Sequence, residues 1–135
     1  MKKFIFLEHT ADIKFQAFGK SLEKAFENSA YALKKTIYSK KIKKKLIKKV
    51  SIKGKDQESL LYNFLEELIF LFDSEKFLLS KIKELKIEEN KLKAILVGDL
   101  AENYNLEMHI KAITYNEMFV KKEKNKWIVQ VVLDI

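Results

Sequence analysis

The chain has 135 residues, 47% hydrophobic and 34% charged, with a formal net charge of +8 and no cysteine. That length fits one domain with one core, residues 1–135, and the lack of cysteine excludes disulfides and thiolate metal sites. All 27 basic residues are lysine, and without arginine's planar fork the chain is a poor fit to sequence-specific readout of bases.

The start, MKKFIFLEHTAD, is charged and carries only a short apolar run. It predicts neither a signal peptide nor a membrane span, so the expected compartment is the cytoplasm. Residues 2–8 alternate weakly and predict a first strand. IKFQAF, residues 13–18, predicts a second, with Ile13, Phe15 and Ala17 on one face and Lys14 and Gln16 on the other. Gly19 is expected to break it. Ser21 can cap a helix whose first turn holds Glu23, where the helix dipole favours an acid. Leu22, Ala25, Phe26, Ala30, Leu33 and Ile37 give that helix one apolar stripe. Residues 48–53 predict a third strand, ended by Gly54. Asp56 then caps a second helix with a broad apolar face (Leu60, Leu61, Phe64, Leu65, Leu68, Ile69, Phe72), ended by Asp73 and Ser74.

Ile82, Leu85 and Ile87 belong to extended sequence with a register break between Ile82 and Leu85. Glu89-Asn90 predicts a turn, and residues 92–97 a return strand stopped by Gly98-Asp99. Residues 101–107 are polar and read as a loop. Residues 108–115 and 117–120 read as extended, Lys124-Asn125 as a turn, and residues 127–133 as a final hydrophobic strand. This order predicts an α+β fold in two layers: one mostly antiparallel sheet with two helices packed on one face.

The chemistry concentrates in EHTADIKFQAFG, residues 8–19, where Glu8, His9, Thr10 and Asp12 fall at the junction of two strands. The rest of the inventory is thin. The two histidines, His9 and His109, have no spacing that makes a local metal pair, and no serine sits in a nucleophile elbow. With glycine only at 19, 54 and 98, no glycine-rich phosphate loop can form. Carboxylates remain: Asp12 in the junction, Asp134 after the last strand, and the α-carboxylate of Ile135. If the last strand lies beside the first two, these converge. Such a group repels itself unless a cation sits among the oxygens or the pKa values rise. Oxygen-only donors favour Ca²⁺ or Mg²⁺ over zinc. Equally, Asp12 can be a turn cap and Asp134-Ile135 an exposed tail. Spacing alone leaves both open.

From Lys34 to Lys55, both included, there are eleven lysines and no acidic residue. Such a run is most often a solvated surface. The other reading is a patch that attracts an anionic partner over distance. The only aromatic residue near it is Tyr38, a poor basis for base stacking in a stand-alone RNA-binding module.

HTADIKFQAFGKSLEKAFENSAYAL resembles the N-terminal signature of the archease family. DQESLLYNFLEELIFLFDSE resembles its second-helix segment, and IKAITYNEMFV with KWIVQVVLDI its C-terminal block. Three separated motifs in the right order cover nearly the whole chain. Asn116 stands where the family often has histidine, Phe64 where tryptophan is common, and Asp99 where glutamate is frequent. The resemblance implies an accessory protein, not an enzyme in itself. It would activate an RtcB-type RNA ligase in tRNA splicing and RNA repair by promoting guanylylation and multiple turnover. It implies a divalent cation, calcium, held by Asp12, Asp134 and the Ile135 carboxylate, and a role in activation for Lys111. His9 would orient the Asp12 loop and Thr10 satisfy its backbone. The expected partner is the ligase, with indirect or weak RNA contact through the lysines between 34 and 55, no membrane contact, and a monomeric state. The competing function is a metal-dependent hydrolase or transferase using Asp12 and Asp134 with a metal-activated water.

Overall fold

A computed structural model of the chain describes residues 1–8 and 11–135. His9 and Thr10, and the roles expected of them, lie outside the described residues. In chain order the elements are β1 (Phe4–Leu7), β2 (Ile13–Gly19), α1 (Leu22–Ile37), β3 (Leu46–Lys53), α2 (Gln57–Glu75), β4 (Phe77–Glu88), β5 (Lys91–Leu100), β6 (Ala112–Glu123) and β7 (Lys126–Asp134), with a short 3₁₀ turn at Ala101–Asn103. Every strand pairing is antiparallel, and the fold is α+β as expected.

The strands divide into two sheets where one was expected. β1-β2-β7-β6 form a four-stranded sheet and β3-β5-β4 a three-stranded one. Both helices touch both sheets: α1 meets β1, β2 and β7 on one side and β4 on the other, and α2 meets β6 as well as β3, β4 and β5. Besides its apolar residues α1 buries Asn28, Ser29 and Thr36. Each of these spends its polar atom on a nearby carbonyl: Asn28 Nδ2 donates to Phe18 O (2.7 Å), Ser29 Oγ to Phe26 O (2.6 Å) and Thr36 Oγ1 to Ala32 O (3.0 Å). A polar side chain satisfied in this way can be buried at little cost. At helical spacing Ser29 and Thr36 fall within the apolar stripe and Asn28 at its edge, so α1 has one wide buried face that both sheets share.

The helix starts follow the sequence. Ser21 Oγ accepts from Lys24 N (3.1 Å), and Asp56 and Ser59 form a reciprocal capping box at the start of α2. Phe26 and Phe64, one from each helix, stack with ring centroids 6.4 Å apart and are fully buried. The β4–β5 hairpin turns at Glu89-Asn90, both with positive φ, and β4 shifts register between Ile82 and Glu84. Several boundaries differ: β3 starts at Leu46, α2 runs to Glu75 and β4 starts at Phe77. β5 does not stop at Gly98 but runs through it to Leu100. The two extended segments read at 108–115 and 117–120 are one strand, β6, which starts at Ala112 and is interrupted by a register shift between Thr114 and Phe119. Among the described residues no helix is long and apolar enough to cross a membrane.

Candidate functional site

β7 is the strand that assembles the site. It lies between β2 and β6, and its register is fixed by alternation: Phe15, Ala17, Val129, Val131 and Leu133 all point into the core and are fully buried. A slip by one residue would turn that whole set outward. The last β2–β7 pair is Ile13 with Leu133. One step beyond it in the same register stand Asp12 and Asp134. On the other side, Asp134 pairs with Ala112, and the Lys111 amide donates to the Asp134 carbonyl at 2.8 Å. Asp12, Lys111, Asp134 and Ile135 are thus brought to one end of one sheet by three adjacent strands, although 99 positions separate Asp12 from Lys111 in the chain.

Asp12, Asp134 and Ile135 are half-buried and Lys111 is exposed. The Ile135 side chain packs against the core, which anchors the last residue. Asp134 is on the face opposite that core contact, with Gln130 and Val132. Alternation carried one residue past Ile13 puts Asp12 on the same face as Lys14 and Gln16. A polar network that spacing did not reveal lies along this face. Gln16 Nε2 donates to Gln130 Oε1 (2.9 Å), Gln130 Nε2 donates to the Glu117 carbonyl (2.8 Å), and Lys14 Nζ meets the Glu117 carboxylate at 3.0 Å. Glu117 reaches over the sheet because it belongs to the irregular part of β6 and has φ of 56°. The outward position of Lys14 is readable from the alternation of β2; the position of Glu117 depends on the bulge and is not.

The donors present suit a hard cation. Two carboxylates at facing register positions and a terminal carboxylate beside them offer only oxygen, the donor type of calcium and magnesium. Among the described residues no group of three or more His, Cys, Asp or Glu side chains is gathered in a way that could hold a metal ion. The candidate set thus rests on two side chains plus the main-chain terminus. His109 is elsewhere, exposed on the surface with Nε2 3.8 Å from Asp73 Oδ1.

Residues 4–135 match the family model described as the Archease protein family (MTH1598/TM1083). The chain is 42% identical over 143 residues to the protein archease of Pyrococcus abyssi, covering all of both chains. It is 40% identical over 138 residues to that of Pyrobaculum neutrophilum, covering 95% of this chain and 92% of that one. Its fold is similar to the solution structure of Protein 1598 of Methanobacterium thermoautotrophicum, with a TM-score of 0.85, 32% identity and full coverage of both. It is also similar to a Thermotoga maritima structure described as an archease and possible chaperone, with a TM-score of 0.70, 23% identity, and 96% and 94% coverage.

Proposed function

The chain belongs to the archease family, and from that premise we propose that it activates an RtcB-type RNA ligase in tRNA splicing and RNA repair. In this reading it promotes guanylylation of the ligase and multiple turnover, and joins no RNA itself. The observation that supports a site for this role is the register of β2, β7 and β6, which puts Asp12, Asp134, Ile135 and Lys111 at one sheet end. Asp12, Asp134 and the Ile135 carboxylate would hold a divalent cation, with calcium fitting their oxygen donors. A cation held there would supply positive charge that offsets the repulsion among the carboxylates. Lys111 is exposed beside them on a backbone pinned to Asp134, so its ammonium is free to meet the ligase. The cytoplasm is the compartment this role requires.

The test is ligation by the cognate ligase with substrate in large excess, with and without this protein. Turnovers per ligase should rise in its presence, and the protein alone with GTP and RNA should give neither a guanylylated chain nor a joined product. Asp12→Asn and Asp134→Asn should lower the stimulation at least tenfold, with metal-free melting temperatures within a few degrees of wild type. Calcium at a hundred times its dissociation constant should stabilise the wild type by about 2.7 kcal/mol, and each variant less. Full stimulation by both variants and by a chain extended past Ile135 would remove the acidic site from the account. A joined product without ligase would remove the accessory role.

A further inference from the structure

Six lysines from four segments line one open groove of about 440 Å³. Lys3 precedes β1, Lys34 and Lys35 are in the last turn of α1, Lys41 and Lys44 are in the connection to β3, and Lys81 is on β4. Among the described residues no acidic one lines the groove. Other lysines have carboxylate partners: Lys14 with Glu117, Lys24 with Glu27, Lys48 with Glu75, Lys86 with Glu84, Lys121 with Glu123. Glu107 borders the groove beside Lys34: the amide and hydroxyl of Ser39, a lining residue, donate to it at 2.7–2.8 Å and favour its ionised form. One carboxylate at the edge against six lysines leaves the groove net positive.

It is also built on fixed elements. Ser80 Oγ donates to the Ile42 carbonyl (2.6 Å) and ties the lysine-bearing connection to β4. The Ile82 amide donates to the Tyr31 hydroxyl (3.0 Å) and ties β4 to α1. Lys34 Nζ donates to the Lys40 carbonyl (2.7 Å), closing the connection back onto the helix. Burial and the neighbouring Lys35 both lower the pKa of Lys34, as expected where cations are crowded. Gathering ammonium groups on one rigid concave surface is unfavourable by itself and becomes favourable when an anion enters.

We propose that this groove binds the phosphodiester backbone of a nucleic acid without regard to base sequence. The alternative occupant, an acidic face of another protein, fits the lining less well. Protein interfaces are depleted in lysine and enriched in arginine and in aromatic anchors. Here there is no arginine, Ile42 is buried, and the two rings available are already faced by lysines: Lys35 is 5.8 Å from the Phe4 centroid and Lys3 5.7 Å from that of Tyr31. Point charges on flexible stems neutralise successive phosphates without reading bases. This proposal rests on the groove and not on the ligase reading, and binding alone tests it.

The experiment is fluorescence anisotropy of short end-labelled oligouridylate and oligoadenylate over a range of salt. Both should bind within about threefold of each other, with affinity falling as salt rises. Lys41→Gln/Lys44→Gln/Lys81→Gln, all at exposed positions, should weaken binding at low salt by at least about tenfold. It should also flatten the slope of log K against log salt by about 2, and Lys41→Gln alone by about 0.7. Lys49→Gln/Lys86→Gln/Lys93→Gln removes the same charge from the exposed face of the three-stranded sheet and should change affinity less than about threefold. Equal losses in the two triple variants would show bulk charge and no site. A base preference above tenfold, displacement of the oligonucleotides by polyglutamate at matched charge, or no binding at low salt would each overturn the proposal.

Discussion

Asp99 is buried, and its carboxylate is surrounded by donors. Tyr104 Oη donates to Oδ2 at 2.7 Å, the Leu100 amide to Oδ1 at 2.8 Å, and Asn103 Nδ2 to Oδ1 at 3.4 Å. These bonds favour the ionised form, the one from Tyr104 most strongly, so Asp99 titrates below its ordinary value of 3.8 in the folded chain. The unfolded chain then holds the proton at a pH where the folded chain has released it. The contribution to stability is therefore full above about pH 3.8 and is lost as the pH falls through the depressed value. Tyr104→Phe should lower the melting temperature at pH 6, and its deficit against wild type should narrow in acid. Part of the deficit should remain, because the same hydroxyl accepts from the Lys43 amide at 2.9 Å. A gap of constant size down to pH 2 would show that Tyr104 does not act through the charge of Asp99. From the sequence, Asp99 reads only as a strand stop beside Gly98. Its partners lie a few residues downstream, but nothing in AENYNLE tells that Tyr104 folds back.

At the scale of elements, Gly98 shows where local rules misplace a boundary. Glycine usually punctuates a strand, yet here it is inside β5 with no positive φ. Its missing side chain is what the pairing with β4 requires: a Cβ at this position would come within 2.0 Å of the Leu78 carbonyl oxygen and 2.9 Å of the Phe77 ring. Main-chain atoms cannot give way as a flexible side-chain tip can. Gly98→Ala should therefore destabilise the protein by about 1–3 kcal/mol or more, measured by urea unfolding. A change below 0.5 kcal/mol would mean that the β4–β5 approach is looser than described. Caps and turns were legible because their chemistry is local: Ser21 and Asp56 meet amides three residues on, and Glu89-Asn90 closes a hairpin on itself. The irregularity of β6 was not, since the departure of residues 115–118 from the ladder involves contacts with α2, distant in the chain. Tyr115, in the part of β6 that is out of register with β7, stacks on Tyr62 of α2, with ring centroids 4.2 Å apart.

For the whole molecule, the division into two sheets was not legible, since hydrophobic alternation shows which face of a strand is buried but not which strand it pairs with. The same limit applied to the groove: Lys3 and Lys81 join the lysines of the α1–β3 connection only through tertiary packing, so a chain reading sees a run and not a concavity. The acidic end was more legible because the pairing of β7 with β2 was the single condition needed. With both helices packed on both sheets, the sheets should unfold together. Leu92 is fully buried in the three-stranded sheet, and Trp127, the sole tryptophan, pairs with Gly19 in the other. Leu92→Ala should cost about 2–5 kcal/mol. It should shift the tryptophan fluorescence and far-ultraviolet circular dichroism transitions by equal amounts. Separate midpoints would show that the sheets melt independently.

The strand order also sets a timetable during synthesis. A chain leaves the ribosome N-terminus first, and segments whose partners are already present can settle before the rest arrives. β3, β4 and β5 are neighbours in sequence, so the three-stranded sheet can assemble while translation continues. The other sheet cannot follow that course, because β7 is inserted between β2 and β6 and is made after both. Until it emerges, β1 and β2 form only a hairpin, and Asp12 has no strand opposite it. Contacts between such distant positions make folding slow. The nascent protein therefore leaves the pairing edge of β2 open until β7 arrives, and the carboxylate end of the sheet comes into being only when that strand pairs.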